Sequence, residues 1–275
     1  MTYPSIISQP GSASRNIQPI LEALSPLLDS PSHSASSAPD GSALAPASGS
    51  GRRQVLEIGS YPYEHISAFS EKWTGVEWWG TGRDQGEVEV EQGPREGSLS
   101  SHQGFGAERI RDINRRWERG DTPSRPNLKS PRQLDIALES DWESLSRDVR
   151  DSNGGVFEGC LLINLIHCCP PGVPEEVFKH LSPRLATGRE MLNPRNGWIA
   201  TYGAFLDDDG SFKSPADAQF DAEHLKARHP SLGLRNISSI SEMAERWGFV
   251  EESRKEMPKG NMWVVWRVRG GTSAS

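Results

Sequence analysis

The chain has 275 residues, and its 30 Lys and Arg residues against 37 Asp and Glu residues give a formal net charge of −7. This length predicts one or two domains, and the acidic balance argues against a general nucleic-acid binder or a binder of anionic membranes, because both need a cationic face. The three cysteines, Cys160, Cys168 and Cys169, include no Cys-x-x-Cys pair. This argues against a disulfide framework or a zinc ribbon and favours reduced thiols in a cytosolic or nuclear compartment, and we predict a cytoplasmic protein.

The N-terminal region divides into three parts by composition. Residues 1–14 are polar and are predicted to form a flexible tail. Residues 15–28 carry apolar side chains three or four positions apart, which predicts an amphipathic helix with Pro19 in its first turn. Residues 29–53 consist mostly of Ser, Ala, Pro and Gly. Such a segment buries too little apolar surface to offset its ordering entropy, so it is predicted to be a disordered linker.

Predicted strands and helices alternate through residues 54–269. The strands are predicted at 54–59, 76–79, 132–137, 157–167, 197–205, 249–257 and 262–268, and the helices at 66–73, 107–119, 142–150, 174–185, 220–227 and 239–247. Residues 85–104 show no period and are predicted to be an insertion, and residues 270–275 a tail. The alternation predicts one α/β domain with a mostly parallel seven-stranded sheet, helices on both faces and a C-terminal antiparallel hairpin.

Short motifs occur along the chain in a fixed order. They are Arg15-Asn16, Val55-Leu56-Glu57-Ile58, Leu134-Asp135-Ile136, Asn164-Leu165-Ile166-His167, Tyr202-Gly203-Ala204-Phe205 and the run at 214–236. In these motifs the chain resembles the methyltransferase-like family of poorly defined function that includes human methyltransferase-like protein 26. The resemblance implies a Rossmann-like class I methyltransferase fold, S-adenosylmethionine as cofactor and a small-molecule substrate.

The loop after the first predicted strand departs from the family pattern. The family loop reads Glu-x-Ala-Ser-Gly-Thr-Gly-Gln-His, whereas residues 57–65 read Glu-Ile-Gly-Ser-Tyr-Pro-Tyr-Glu-His. Tyr61 and Tyr63 thus replace two glycines that let the backbone approach the cofactor closely. After the second strand, Gly82 occupies the position of the acid that holds the ribose in the family, and the nearest acid is Asp84. We expect the placement of the two tyrosine rings to decide whether an adenosyl group fits.

The resemblance implies a cofactor site at the carboxyl ends of the first strands, where ligands bind in open α/β sheets. The implied cofactor-binding residues are Arg15, Asn16, Glu57, Gly59, Ser60, Asp84, Asp135, Ile136 and Asn164. Glu57 would either balance the charge on the sulfonium side or bind the methionyl amine through water, and Asp135 would accept hydrogen bonds from the adenine amino group. Alternatively, Glu57 caps the following helix, Asp135 is a turn or N-cap residue, and Arg15 and Asn16 only cap the first helix.

The methyl acceptor is expected beside the fourth and fifth predicted strands. The implied pocket residues are His167, Tyr202, Phe205 and Arg235, and His167 and Tyr202 are the candidate catalytic residues. His167 acts either as a general base or as a polar lining residue, because methyl transfer from a sulfonium needs mainly alignment and desolvation. Tyr202 and Phe205 are equally compatible with core packing. The adjacent His167, Cys168 and Cys169 predict no metal site, because neighbouring side chains diverge and no second ligand pair exists.

The leading hypothesis is an S-adenosylmethionine-dependent methyltransferase-like enzyme that acts on a small molecule. We expect neither a nucleic-acid nor a membrane partner, and the sequence leaves the oligomeric state open. The alternative is a methyltransferase-fold protein that no longer transfers methyl groups, either a cyclase- or isomerase-type enzyme or a catalytically silent interaction module. The silent module predicts that the rings of Tyr61 and Tyr63 fill the pocket.

Overall fold

The computed structural model describes residues 12–29, 52–61, 63–83, 125–152, 155–185 and 189–269. The predicted insertion at 85–104, the predicted helix at 107–119, the C-terminal tail and nearly all of the predicted linker and N-terminal tail lie outside these residues. No helix in the described ranges is long and apolar enough to cross a membrane.

Strands and helices alternate along the described chain. The strands are β1 (Arg53–Glu57), β2 (Val76–Gly82), β3 (Arg132–Gln133), β4 (Gly159–Ile163), β5 (Trp198–Ala204), β6 (Phe249–Glu256) and β7 (Asn261–Val268). The α-helices are α1 (Ser12–Leu28), α2 (Glu64–Lys72), α3 (Glu139–Arg150), α4 (Val173–His180), α5 (Pro215–Gln219) and α6 (Ile237–Arg246). A π-helical turn, Phe220–Lys226, continues α5, and 3-10 turns lie at Ile166–Cys168 and Pro258–Gly260.

The strands form one seven-stranded sheet in the order β3-β2-β1-β4-β5-β7-β6. The first five strands in this order are parallel, whereas β7 runs antiparallel to both β5 and β6. This arrangement confirms the predicted fold class, a mostly parallel Rossmann-like sheet that ends in an antiparallel hairpin. Because β1 lies beside β4, the strand order reverses between them, and this point of an α/β sheet is where ligands bind.

The sheet separates two apolar layers, because alternate side chains of a strand point to opposite faces. Leu56 of β1 and Trp79 of β2 pack with apolar residues of α3, α4 and α6. Their neighbours Val55 and Trp78 pack with apolar residues of α1 and α2. Helices therefore cover both faces, and only the ends of the strands are left to form a ligand site.

Two predicted strands are shorter in the structure, for local reasons. The predicted strand at 132–137 pairs only over Arg132–Gln133. A turn replaces the rest, because Asp141 Oδ2 accepts the Asp135 N–H at 2.7 Å and Asp135 Oδ1 accepts the Ala137 N–H at 3.0 Å. The predicted strand at 157–167 pairs only over Gly159–Ile163, and Asn164 then adopts a positive φ of 53°, which breaks the extended conformation.

Three helix predictions differ from the structure. The predicted helix at 174–185 ends at His180, and the predicted helix at 220–227 is a π-helical turn. The N-terminal helix begins at Ser12, so the predicted position of Pro19 in the first turn is wrong, and Pro19 lies inside the helix. There its missing N–H removes one helical hydrogen bond. Residues 12–14 are Ser-Ala-Ser, and the single small apolar residue Ala13 gave no periodic signal by which this earlier start could be recognised.

Candidate functional site

The β1 strand ends in a buried carboxyl group that lacks part of its hydrogen bonding. Glu57 is 1% exposed, and its Oε2 has no hydrogen-bond partner among the described residues. Burial raises the pKa of Glu57 to about 8, and a hydrogen bond from the Ser60 side chain opposes this shift. Because a buried carboxylate is costly without a partner, Glu57 is suited to receive a cationic ligand that enters beside the switch point.

Two further buried polar groups in this loop also lack hydrogen-bond partners within the part of the chain that the structure describes. They are the Tyr63 hydroxyl and His65 Nε2. His65 Nδ1 lies 3.8 Å from Glu57 Oε1, which is too long for a hydrogen bond, and burial lowers the pKa of His65 to about 4. Glu57 and His65 are therefore both neutral near pH 7 and do not form an ion pair. The sequence predictions included Glu57 but neither Tyr63 nor His65, although His65 occupies the last position of the family loop.

The two tyrosines of this loop have different environments. Tyr61 is 37% exposed, whereas Tyr63 is 5% exposed and belongs to the apolar layer of α1 and α2. The Tyr63 ring packs against β2, where a Cβ added to Gly80 would lie 2.6 Å from Tyr63 Cε1. Tyr63 also adopts a positive φ of 71°, which is rare outside glycine. The hypothesis of a silent module predicted that both rings fill one pocket. The different environments of the two rings do not agree with this prediction.

Hydrogen bonds of Thr81 with Glu57, Gly59 and Ser60 tie the backbone of the loop to β2. Ser60 Oγ donates to the Glu57 carbonyl at 2.7 Å and accepts the Thr81 N–H at 3.2 Å. Gly59 has a φ of 74°, and a Cβ added to it would lie 3.3 Å from Leu165 Cδ1. Glycine therefore allows the loops after β1 and β4 to approach each other closely, and its backbone stays exposed at the strand ends.

At the end of β3, the predicted adenine site lies in a turn. Asp135 is half-buried, and its Oδ1 accepts the Ala137 N–H, which is the turn interaction named above as the alternative role. The next residue, Ile136, is buried in the larger apolar cluster. Gly82 ends β2 without a side chain that could bind a ribose. Asp84, the nearest acid in sequence, lies outside the described residues.

The ends of β4 and β5 bring together Asn164 and His167. A Cβ added to Gly203 of β5 would lie 3.1 Å from His167 Cε1 and 3.5 Å from Asn164 Oδ1, so both side chains meet the same point of β5. Burial lowers the pKa of His167 to about 4, and a hydrogen bond to the Ala204 backbone opposes this shift. Phe220 of the π-helical turn lies edge-on to the imidazole at 5.7 Å. His167 is therefore neutral at pH 7.

Three other predicted residues lie apart from this point. Tyr202 is 1% exposed, and its hydroxyl donates to Asn16 Oδ1 at 3.1 Å and accepts from Asn261 Nδ2 at 3.0 Å. Asn16 thereby fastens α1 to β5, and the neighbouring Arg15 is exposed. Phe205 is fully buried in the layer of α3, α4 and α6. These contacts give Tyr202, Asn16 and Phe205 a clear structural role.

The fourth predicted pocket residue, Arg235, contacts the segment that follows β4. Its Nη2 donates to the Cys169 carbonyl at 3.0 Å and to the Ser231 carbonyl at 2.6 Å. The structure therefore brings Asn164, His167 and Arg235 to one end of the sheet, next to the β1 loop with Glu57.

Comparison with solved structures finds the same fold at low sequence identity. An O-methyltransferase family protein from Burkholderia thailandensis aligns with a TM-score of 0.53 and 12% identity over 80% of this chain and 52% of that protein. PigF with SAH aligns with a TM-score of 0.51 and 11% identity over 78% of this chain and 50% of that protein. The mitomycin 7-O-methyltransferase MmcR aligns with a TM-score of 0.50 and 12% identity over 79% of this chain and 49% of that protein. The chain spans about half the length of these proteins, and at this identity the likeness concerns the fold.

The family comparison covers strands β3 to β7 and the loops around Asn164, His167 and Arg235. A family model described as protein of unknown function (DUF938) matches residues 106–268. Because this match covers more than half of the chain, the chain belongs to the DUF938 family.

Proposed function

We propose that this protein is an S-adenosylmethionine-dependent methyltransferase-like enzyme that acts on a small molecule. The observation that carries the proposal is the buried Glu57 at the carboxyl end of β1, beside the point where the strand order reverses. Its Oε2 has no hydrogen-bond partner in the described ranges. Support also comes from the neighbours of the same fold, which include O-methyltransferases and one protein with SAH. The three free cysteines support a cytoplasmic location.

The residues at the strand ends fit this cofactor in three places. Glu57 would accept the ammonium group, and the exposed backbone of Gly59 would allow close approach of the methionyl part. Asp135 and Ile136 would hold the adenine, and Asn164 would lie between the cofactor and the acceptor. The fit is poorest at the ribose, because Gly82 offers no carboxylate there.

The role of the chain in the reaction would be alignment and exclusion of water. When bound, S-adenosylmethionine supplies an electrophilic methyl group on a sulfonium, and its transfer is an in-line displacement that needs mainly alignment. A histidine with a pKa of about 4 is a weak base at neutral pH. We therefore propose that His167 lines the acceptor pocket and orients the acceptor, and that Tyr202 supports β5 and α1 without taking part in chemistry.

Calorimetric titration of the full chain with S-adenosylmethionine tests the proposal. Wild type should bind, and Glu57→Gln should weaken binding about tenfold or more, because a charge-assisted hydrogen bond contributes about 1.5–3 kcal/mol. Asp135→Ala should weaken binding by about 1–3 kcal/mol for the same reason. Glu71→Gln, at an exposed carboxylate on α2, is the control and should bind like wild type. A folded wild-type protein that binds no S-adenosylmethionine would refute the proposal.

A second candidate is a protein of this fold that binds a different ligand and transfers no methyl group, as in a cyclase- or isomerase-type enzyme. The packing of Tyr63 against Gly80 favours it, because an aromatic ring occupies the layer beside β2 in place of a flexible glycine loop. Tyr63→Gly separates the two candidates. It should strengthen S-adenosylmethionine binding if the ring merely obstructs the cofactor, and it should not create binding if the site serves another ligand.

A further inference from the structure

Arg235 is fixed in position beside His167. Its Nη2 hydrogen bonds to the Cys169 and Ser231 carbonyls hold the guanidinium next to the turn that follows β4. Gly233, two residues earlier, donates its N–H to the His167 carbonyl at 3.2 Å. The guanidinium is therefore preorganised at the carboxyl ends of β4 and β5, in the region where the acceptor would bind.

The positive charge of Arg235 is not balanced by a contacting carboxylate. Within the described ranges Arg235 forms no ion pair, and its buried Nε has no hydrogen-bond partner. The buried carboxylate of Asp221 acts electrostatically on Arg235, but its direct contacts are with other groups. Asp221 Oδ2 lies 2.6 Å from Lys226 Nζ, and Asp221 Oδ1 accepts the Leu234 N–H at 2.7 Å. Burial of the guanidinium lowers the pKa of Arg235, and electrostatic interactions with Cys169 and Asp221 oppose this shift without cancelling it. An anion bound there would satisfy both the charge and the free donor.

A second arginine adds positive charge near the same turn. The positive charge of Arg228 opposes the rise that burial causes in the pKa of the Cys168 thiol. The positive charge of Arg235 adds to the lowering of the pKa of His167 by burial. Arg228 is exposed and forms no ion pair with any residue that the structure describes. Phe220, edge-on to the His167 ring, adds an apolar surface beside these charges. A positive and partly aromatic region therefore lies at this end of a chain whose net charge is −7.

We propose that Arg235, assisted by Arg228, binds an oxyanion of the methyl acceptor, so that the substrate is a small molecule carrying a carboxylate or phosphate group. The planar guanidinium matches the geometry of both groups. The apolar part of the acceptor would contact Phe220 and His167. The acceptor role rests on the proposed function, whereas the binding of an anion by Arg235 can be measured independently of it.

Calorimetry with three probes tests the anion site on the wild-type full chain. The probes are benzoate, its neutral analogue benzamide, and inorganic phosphate. We expect benzoate or phosphate to bind and benzamide to bind at least about tenfold more weakly, because benzamide lacks the charge that the arginines recognise. Binding of phosphate alone would identify the anion as a phosphate group. Equal binding of benzoate and benzamide, or binding of neither anion, would overturn the proposal.

Variants then assign the site to Arg235. Arg235→Gln should lose about tenfold or more of the anion affinity, and Arg228→Gln a smaller factor. Arg246→Gln, at an exposed arginine that pairs with Glu175 on the surface, is the matched control and should bind like wild type. Should Arg235→Gln unfold, as judged by circular dichroism, Arg228→Gln and the benzoate–benzamide comparison decide the question. Unchanged anion affinity in folded Arg235→Gln would refute the assignment.

Titration of the same proteins with S-adenosylmethionine separates the two proposals. Arg235→Gln should retain the cofactor affinity of wild type, because the residue does not lie in the β1 loop. If wild type binds benzoate through Arg235 but binds no S-adenosylmethionine, the anion site stands and the methyltransferase proposal fails. If folded Arg235→Gln binds neither the anion nor S-adenosylmethionine, Arg235 does not act on the acceptor specifically.

Discussion

Replacing the buried Glu57 by glutamine should change how protein stability depends on pH. The pKa of Glu57 is raised to about 8 from its ordinary value of 4.5. From about pH 6.5 to about pH 8 the folded chain therefore keeps a proton that the unfolded chain has released, and the free energy of unfolding falls as the pH rises. At about 1.4 kcal/mol per pH unit, Glu57 alone lowers the free energy of unfolding of wild type by about 2 kcal/mol over this range.

Glutamine has nearly the same shape and does not titrate, so Glu57→Gln should not show this loss. The stability of Glu57→Gln relative to wild type should rise by about 2 kcal/mol between about pH 6.5 and about pH 8, and level off above it. Buried His65 and His167, each with a pKa of about 4, stay neutral throughout this range and do not add to the difference.

Urea unfolding followed by tryptophan fluorescence measures the effect, since the chain has nine Trp residues. Glu71→Gln, which removes an exposed carboxylate, is the control, and its difference from wild type should change far less over the same range. A stability difference between Glu57→Gln and wild type that stays constant from about pH 6.5 to about pH 8 would show that Glu57 is ionised in the folded chain. The assignment of a buried, unpaired carboxyl group to β1 would then be wrong.

Three further substitutions test the packing around the site by urea unfolding. Gly159→Ala should lower the free energy of unfolding by about 3 kcal/mol or more, because the added Cβ would lie 2.1 Å from the buried Trp198 ring. Gly172→Ala is the control and should leave the free energy of unfolding nearly unchanged, because its added Cβ would meet no atom within 4 Å. Asn127→Ala should cost about 2 kcal/mol, because the buried Asn127 amide donates to the carbonyls of Ser70, Trp73 and Val76; a loss below about 0.5 kcal/mol would contradict this. Tyr202→Phe should lower the free energy of unfolding by about 1 kcal/mol, because the hydrogen bonds of the hydroxyl with Asn16 and Asn261 are lost. A change in the free energy of S-adenosylmethionine binding that exceeds the change in stability would instead indicate a direct role of Tyr202 at the site.

The fold was predictable because its signals are local. The apolar period of two or of three to four residues identified most strands and helices, and their alternation implied the parallel sheet. The predictions were least accurate where a local hydrogen bond competes with pairing. Asp135 and Asp141 form a turn in place of the predicted end of the third strand. An aspartate in the sequence does not by itself indicate whether a turn or a strand will form.

The candidate site was predicted only in part. The resemblance pointed to Glu57, Asn164, His167 and Arg235, and the structure brings these residues to the same end of the sheet. The resemblance gave no sign that the Tyr63 hydroxyl and His65 Nε2 would be buried near Glu57 with no hydrogen-bond partner among the residues that the structure describes. Whether a polar atom finds a partner depends on every side chain that packs around it, and a single motif does not carry that information.

The sequence by itself determined the order of the elements, the antiparallel C-terminal hairpin and the type of residue at each strand end, because these follow from short-range periodicity. Only the tertiary structure decided that Tyr61 faces solvent while Tyr63 packs against Gly80, and that Arg235 meets the turn after β4 from 66 residues away along the chain. Such contacts join segments that are distant in sequence, so they depend on how the layers pack against the sheet and not on any local pattern.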